Sequence, residues 1–157
     1  MRGRLPDACG LRFEPAGEAQ ADILLGLAHA FHAEEGHPLN ADSAAAVLGI
    51  ARGEPLARGW IVRSAGQVVG YVVITLGYSI EYGGRDGFID DLYLVPEARG
   101  RGWGRCLLDF ACGEAERLGI NTLHLEVEPG NDHAARLYRG AGFEQTGRRL
   151  MRLRLQR

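Results

Sequence analysis

The stretch that decides the fold is FIDDLYLV at residues 88–95, followed by PEARGRGWG at residues 96–104. The apolar and aromatic residues of the first part are typical of a strand, Pro96 ends that strand, and apolar positions after Gly102 recur at helical spacing. A strand that turns into a helix leaves unpaired backbone N–H groups at the helix start, and these favour an anion such as a phosphate. Fixed positive charge comes from three arginines, Arg99, Arg101 and Arg105.

Outward from this junction, strand-like and helical patterns alternate along the chain. The segment LRFE predicts a short strand, and two helices are predicted at ADILLGLAHAFHAE and ADSAAAVLGIA. The residues WIVRSAGQVVGYVVITLGY indicate a hairpin that turns at SAGQ. After the central helix, the patterns predict a strand at NTLHLEVE, a short helix at HAARLYRGAG and a terminal hairpin at FEQTGRRLMRLRL.

This order of elements predicts a mixed α/β (α+β) fold. We expect a mostly antiparallel sheet of six to seven strands, about four flanking helices and a βαβ unit at the centre. The 157 residues are enough for one core and too few for two, so a single domain over 1–157 is predicted.

Composition excludes several classes of function. The net charge of −2 gives no reason to expect nucleic acid or a membrane surface as a partner. The chain has no lysine, which excludes a Schiff-base lysine and a lysine-dependent phosphate loop. The N-terminus MRGRLPDACG lacks the apolar run of a signal peptide, and Cys9, Cys106 and Cys112 form no CxxC pair. These features predict reduced cysteines and a cytoplasmic protein.

Other site patterns are incomplete. A dinucleotide fingerprint GxGxxG fails because Arg105 follows Gly102 at the third position, and GYSIE at residues 77–81 lacks the second glycine of a hydrolase elbow. Histidine pairs such as His29 and His32, or His124 with the downstream glutamates, complete no metal spacing. We predict no metal site.

Two motifs together resemble the GNAT superfamily, the Gcn5-related N-acetyltransferases. The residues RGRGWG at 99–104 match the Q/R-x-x-G-x-G/A signature. The residues NDHAARLYRGAGF at 131–143 match N-x-x-A-x-x-L-Y-x-x-x-G-F at the spacing of the family. The resemblance extends over nearly the whole chain and implies a GNAT-like sheet, acetyl-CoA as co-substrate and an amine acceptor.

The resemblance also implies where acetyl-CoA binds. Its pyrophosphate is expected on the backbone of the glycine loop, by which we mean Arg99, Gly100, Arg101, Gly102, Trp103 and Gly104. Its pantetheine amides are expected to pair with the backbone of Leu92, Leu94 and Val95, as an added strand would. Tyr138 resembles the general acid of the family, and Asn131 is expected to orient the cofactor, cap its helix, or do both.

The base and the acceptor site are less determined by the sequence. Asp90 and Asp91 are neighbours in a strand, so alternation predicts opposite faces, and one of them is expected to act as base directly or through water. The IDDLYL segment is similar to polyamine-type members, which favours a small basic acceptor. Candidate acceptor contacts are Glu34, Tyr78 and Glu81.

Several alternatives remain open at this point. A peptide or protein N-acetyltransferase would share both cofactor motifs. A sensor that binds acyl-CoA without turnover would need only those motifs, whereas Tyr138 and the aspartates favour chemistry. A nucleotide-binding regulatory domain is disfavoured by the failed fingerprint. The Leu/Arg alternation at the C-terminus leaves a homodimer through an edge strand open.

Overall fold

The computed structural model describes residues 9–155. Residues 1–8 and 156–157 lie outside the described residues, and with them most of the N-terminal stretch MRGRLPDACG. The chain divides after Glu126 into two compact units. The two units are described separately below, and the single domain predicted over 1–157 stays a prediction.

The first unit contains five strands and three helices. In chain order they are β1 (Leu11–Pro15), α1 (Ala21–Glu34), α2 (Ala41–Ala51), β2 (Ala57–Ser64), β3 (Gln67–Ser79), β4 (Gly84–Leu94), α3 (Trp103–Arg117) and β5 (Thr122–His124), with 3-10 turns at Glu18–Gln20 and Pro96–Ala98. The predicted helices and the hairpin are confirmed, and α2 is capped by the Asn40 side chain, which accepts from the Ser43 N–H at 2.8 Å.

The strands form one sheet in the order β1-β2-β3-β4-β5. The first four strands pair antiparallel with their neighbours, and β5 pairs parallel with β4 after the chain has crossed over through α3. This is the predicted mixed fold with its central βαβ unit.

Helices cover both faces of this sheet. On one face, α1 packs Leu24, Leu27 and Ala28 against a cluster of sheet residues, namely Ile61, Tyr71, Val73 and Tyr93. On the other face, Phe110 of α3 stacks on Phe13 of β1 with ring centroids 3.8 Å apart. Because successive strand residues alternate between the faces, a single strand supplies both cores.

The second unit is smaller and changes the predicted strand count. It contains α4 (Asp132–Gly140), and within the described residues 143–155 no strand forms where the terminal hairpin was predicted. The strand expected at NTLHLEVE is also cut to three residues. The sheet therefore has five strands in the described part of the chain, and six to seven is not confirmed. The apolar residues of the Leu/Arg alternation are exposed there: Leu150, Met151, Leu153 and Leu155.

The cysteines depart from the sequence prediction. Cys9, just before β1, is joined by a disulfide to Cys106 in the first turn of α3, with their Cα atoms 6.5 Å apart. The two residues are separated by 97 positions, so no spacing pattern such as CxxC could reveal the pair. Cys112 stays a free thiol, and burial raises its pKa.

Candidate functional site

The glycine loop leads into α3, the helix that connects the parallel strands β4 and β5. Gly100 and Gly102 have φ angles of +76° and +77°, a left-handed conformation that glycine adopts without strain. Gly102 is the N-cap of α3 and supplies no side-chain cap, so the first N–H groups of α3 are not satisfied by one. The helix dipole adds partial positive charge at the same place, which makes this end of α3 suited to an anion.

The three arginines of this region do not have equal roles. Arg99 forms an ion pair with Glu34 of α1 at 2.7 Å and donates through Nε to the Leu94 carbonyl at 3.0 Å. This guanidinium lowers the pKa of Glu34. Arg105 pairs with Asp109 within α3 at 2.8 Å, whereas the Arg101 guanidinium lies over the Trp103 ring, 5.1 Å from its centroid. Arg101 is therefore the arginine of the loop with no ion-pair partner in the described part of the chain.

Strand β4 has an open edge beside the loop. Its pairing with β5 covers only residues 86–88, while its pairing with β3 continues to Leu94. Within residues 9–155 no strand pairs with the β5-facing edge of residues 89–94. The second half of β4 therefore has no strand partner on this edge in the described part of the chain.

Backbone alternation decides which residues face this open edge. The Val95 N–H donates to the Val69 carbonyl at 2.9 Å, and the Val95 carbonyl accepts from the Ala98 N–H at 2.9 Å. Both polar groups of Val95 are thus hydrogen-bonded within the fold, and its predicted pairing to pantetheine stays a prediction. Since antiparallel strands direct the backbone groups of alternate residues to the same side, Leu92 and Leu94 present their backbone to the open edge, where the Leu94 carbonyl already accepts from Arg99.

A β-bulge in β4 separates the two aspartates. Val73 is paired with Asp91 and Ile74 with Ile89, so Asp90 is the extra residue, and the alternation that predicted opposite faces is interrupted there. Asp91 is buried and Asp90 reaches solvent. Even so, the protein atoms around Asp90 desolvate it, and this effect, followed by the charges of Asp91 and Glu126, raises its pKa against the opposing influence of His32.

Asp91 is the centre of a hydrogen-bonded network with two residues that sequence reasoning did not select. Tyr71 of β3 donates its hydroxyl to Asp91 Oδ2 at 2.6 Å, and His32 of α1 places Nε2 2.9 Å from the same oxygen. We call His32, Tyr71 and Asp91 the Asp91 network. Burial and the carboxylate both raise the pKa of Tyr71, so it stays a neutral donor.

The sequence carried only a weak signal for this network. His32 drew attention as a partner of His29 for a metal, and Tyr71 lies within an apolar strand where nothing distinguishes it from a core residue. No group of three metal-ligating side chains is found among residues 9–155. His124, the other histidine considered, lies 3.3 Å from Asp86 and packs against the rings of Tyr82 and Phe88.

The predicted acceptor contacts do not gather at one place. Glu34 is held by Arg99 and also accepts from the Tyr93 hydroxyl at 3.2 Å. Tyr78 is exposed and pairs with Arg85 near the start of β4, and Glu81 lies in the turn that follows β3. Tyr78 lies five positions along β3 from Val73, the partner of Asp91, so at about 3.4 Å per residue they are roughly 17 Å apart.

The second unit contains the two remaining predicted residues. Asn131 caps α4, because its side-chain oxygen accepts from the Ala134 N–H at 3.2 Å. Tyr138 is half-buried in α4, and its ring lies edge-on to Phe143 with centroids 6.2 Å apart. Gly142, at φ +99°, turns the chain so that the Phe143 N–H reaches the Tyr138 carbonyl at 3.0 Å. The second motif is therefore a helix, its cap and the turn that ends it.

In the described part of the chain, no helix is both long and apolar enough to cross a bilayer.

Comparison with known proteins agrees with this geometry. Residues 24–143 match the model of the acetyltransferase (GNAT) family. The chain is 33% identical over 147 residues to mycothiol acetyltransferase of Thermobispora bispora, covering 88% of this chain and 48% of that protein. It is 39% identical over 92 residues to the N-alpha-acetyltransferase RimI of Mycobacterium tuberculosis, covering 55% and 52%. The chain thus spans about half the length of these curated relatives.

A solved structure extends the likeness to the fold. The integron cassette protein HFX_CASS3, from the mobile metagenome of Cole Harbour Salt Marsh, superposes with a TM-score of 0.78 at 34% identity. The match covers 92% of this chain and 91% of that one. With the glycine loop, the open edge of β4 and the family match together, the chain belongs to the acetyltransferase (GNAT) family.

Proposed function

We propose that this chain transfers an acetyl group from acetyl-CoA to a primary amine of a small molecule. The observation that carries the proposal is the pairing of two features at one end of β4, the uncapped start of α3 at Gly102 and the unpaired edge of residues 89–94. The first suits a pyrophosphate and the second suits the amides of a pantetheine arm. Family membership adds that GNAT proteins use acetyl-CoA.

The residues of the loop and the strand have distinct proposed roles. The backbone N–H groups of the glycine loop hold the pyrophosphate, and Arg101 adds charge to them. The backbone of Leu92 and the N–H of Leu94 pair with the pantetheine amides. Arg99 instead positions the loop, because its guanidinium is bound to Glu34 and to the Leu94 carbonyl. Asn131 caps α4, the helix that carries Tyr138.

The chemistry needs a base for the amine and an acid for the leaving thiolate. Bound acetyl-CoA supplies the acetyl thioester. A carboxylate at the bulge, Asp90 or Asp91, accepts the amine proton directly or through a relay. Tyr138 is the proposed general acid, since a phenol with an ordinary pKa near 10 stays protonated at neutral pH.

The acceptor class rests on weaker support than the cofactor. Carboxylates at the bulge favour a cationic amine of polyamine type, since Asp90, Asp91 and Glu126 lie within electrostatic range of one another. The relatives differ in the acceptor that their names state, mycothiol in one and an N-alpha group in the other. A peptide N-terminus is therefore the second candidate, and the similarity to RimI is the observation that favours it. Tyr78 and Glu81 remain candidate contacts for a longer acceptor.

Calorimetry with acetyl-CoA tests the cofactor part, with NAD as the control ligand. We expect acetyl-CoA alone to bind, and no binding to the wild-type protein contradicts the proposal. Thiol release from acetyl-CoA, with spermidine and with a peptide that begins with alanine as acceptors, then tests turnover. Binding without turnover of either amine favours the alternative of a sensor that binds acyl-CoA.

Tyr138→Phe tests the proposed acid. Loss of the phenol proton donor is expected to reduce kcat by about 100-fold, while the calorimetric affinity for acetyl-CoA stays within about twofold. A variant that keeps wild-type kcat assigns Tyr138 to packing against Phe143 instead.

A further inference from the structure

The Asp91 network lies where the sheet opens. Asp91 is three residues beyond Phe88, the last residue of β4 that pairs with β5. Its Oδ2 accepts a hydrogen bond from the Tyr71 hydroxyl and lies 2.9 Å from His32 Nε2, and Asp91 itself is only 8% exposed. Asp91 is thus too buried to contact an amine itself. It can influence an amine in solvent only through a residue that is hydrogen-bonded to it.

His32 is the partner that can meet solvent. Tyr71 is completely buried, whereas about 30% of the His32 side chain is exposed. When Nε2 carries the hydrogen that is donated to Asp91, the other ring nitrogen, Nδ1, is left with its lone pair. Within residues 9–155, Nδ1 makes no hydrogen bond. Since no buried side-chain nitrogen or oxygen there lacks a partner, Nδ1 is accessible to solvent. The ring is therefore held at one nitrogen and open at the other.

We propose that His32 is the general base that takes the proton from the attacking amine, with Asp91 and Tyr71 as its positioning residues. The arrangement has the three parts that activate a base in many enzymes: an exposed imidazole, a buried carboxylate that fixes its tautomer, and a donor that fixes the carboxylate. The inference rests on the proposed function and assigns the base to His32, with the Asp91 carboxylate as a positioning residue. No sequence motif of the chain contains His32, Tyr71 and Asp91 together.

The proposed step is balanced as follows. The neutral amine nitrogen forms a bond to the acetyl carbon, and the bond from that carbon to sulfur breaks. The amine proton passes to His32 Nδ1, and the thiolate receives a proton from the phenol assigned to Tyr138. The products are the acetylated amine and the free thiol, after which His32 returns its proton to solvent and the phenol regains one. No electrons are exchanged with another reactant.

The charges around His32 set the pH at which it can act. Its pKa is raised from 6.5, first by the hydrogen bond to Asp91 and then by the charges of Asp91, Asp90 and Glu35, while burial opposes the rise. Asp90 and Asp91 belong to β4, Glu35 follows α1, and Tyr71 of β3 is a neutral donor. Because only neutral imidazole accepts a proton, the rate should increase as pH rises through this pKa.

Two other hypotheses about these residues predict different effects of substitution. If Asp90 is the base, Asp90→Asn removes the rate and His32→Gln does not. If the network only joins α1 to β4, His32→Gln lowers stability and leaves the pH profile of the reaction in place. The pH dependence therefore separates a base from a structural contact.

The test is the pH profile of kcat/KM for thiol release from acetyl-CoA with spermidine, over about pH 5.5 to 9.5. We expect His32→Gln to lower kcat by about 100-fold and to abolish the inflection of the base. Asp91→Asn keeps the imidazole but loses the carboxylate, so its inflection should move to lower pH, toward ordinary histidine. The matched control is His29→Gln, which replaces an exposed histidine one turn earlier on α1 and should match wild type.

Urea denaturation shows whether each variant is folded, because Asp91 belongs to the strand on which the cofactor is proposed to bind. Should His32→Gln fail to fold, proton NMR of the imidazole in the wild type and in Asp91→Asn replaces it. Agreement between the His32 titration and the kinetic inflection in both proteins supports the proposal.

A mismatch between them, or a wild-type profile in folded His32→Gln, overturns it while leaving acetyl transfer intact. If the wild type binds acetyl-CoA but turns over neither spermidine nor the alanine peptide, the proposed function fails, and the base assignment fails with it.

Discussion

The glycine loop and the Asp91 network, at the two ends of the proposed site, differ in composition: one is backbone and the other is side chains. The glycine loop is exposed backbone at the start of a helix, and its important property is a conformation, φ near +77° at Gly102. The Asp91 network is made of side chains from α1, β3 and β4, and its important property is that Asp91 and Tyr71 are buried together. A backbone site depends on which residue stands at one position, whereas a buried network depends on all of its members at once. Substitutions should therefore affect affinity at the first and stability at the second.

The largest expected effect is on the loop. Gly102→Glu places a carboxylate where the pyrophosphate is proposed to bind, and we expect acetyl-CoA affinity to fall by at least about 1000-fold, or roughly 4 kcal/mol. Gly119→Glu is the matched control, since Gly119 follows the other end of α3 at φ +73° and has open space around it. Both variants carry the same new charge and similar backbone strain. Equal losses in calorimetry would mean that strain, and not the cradle, is responsible.

The next effect is on the network. Asp91→Ala leaves the Tyr71 hydroxyl buried without its acceptor, and we expect the free energy of unfolding to fall by about 3 kcal/mol. Asp90→Ala, one residue away at the exposed bulge, should change it by less than about 1 kcal/mol. Urea denaturation measures both. Similar values for the two variants would contradict the distinction between the aspartates.

A smaller effect concerns charge at the loop. Arg101→Ala removes the guanidinium that has no carboxylate partner among residues 9–155, and we expect about tenfold weaker acetyl-CoA binding. The loss should shrink at high salt because the site is exposed and screened. Arg117→Ala, which removes an arginine paired with Glu114 at the far end of α3, serves as control. Calorimetry at low and high salt measures the affinity of both variants for acetyl-CoA. Equal losses of affinity in the two variants would contradict the role of Arg101.

The smallest effect is the pH dependence of stability. The folded pKa of His32 is raised, so its contribution to stability is complete below the unfolded value of 6.5 and is lost as pH rises through the folded pKa. Wild type should exceed His32→Gln by about 1 kcal/mol near pH 6, and the difference should shrink toward about pH 9. Urea denaturation at both pH values is the measurement, with His29→Gln as the control. A difference that grows with pH would reverse the assigned sign.

The glycine loop and the network also differ in how far the sequence predicted them. The loop could be predicted because its requirement is local: glycines at 100 and 102, a strand before and a helix after. The network joins residues 59 and 20 positions apart from Asp91, so no local pattern contains it. The bulge at Asp90 could not be predicted either, because a bulge is a property of the pairing with β3.

Long-range pairing also explains the other differences. The edge of a strand is open or closed only with respect to its neighbours, which is why the hydrogen bonds of Val95 to Val69 and Ala98 could not be predicted from the sequence. The terminal Leu/Arg alternation predicts a strand only if another strand accepts its hydrogen bonds. Cys9 and Cys106 have no sequence relationship that would predict their disulfide.

By itself, the sequence determined the order of the elements as far as α4, the position of the glycines at the start of α3 and the two motifs of the family. These depend on residue type and short spacing, which act within a few residues of the chain. Only the tertiary structure decided that Asp91 is buried between Tyr71 and His32, that Arg99 is held by Glu34, and that β4 is open beyond Phe88. Those contacts exist only after distant segments pack together, because hydrogen bonds and ion pairs act over a few ångströms.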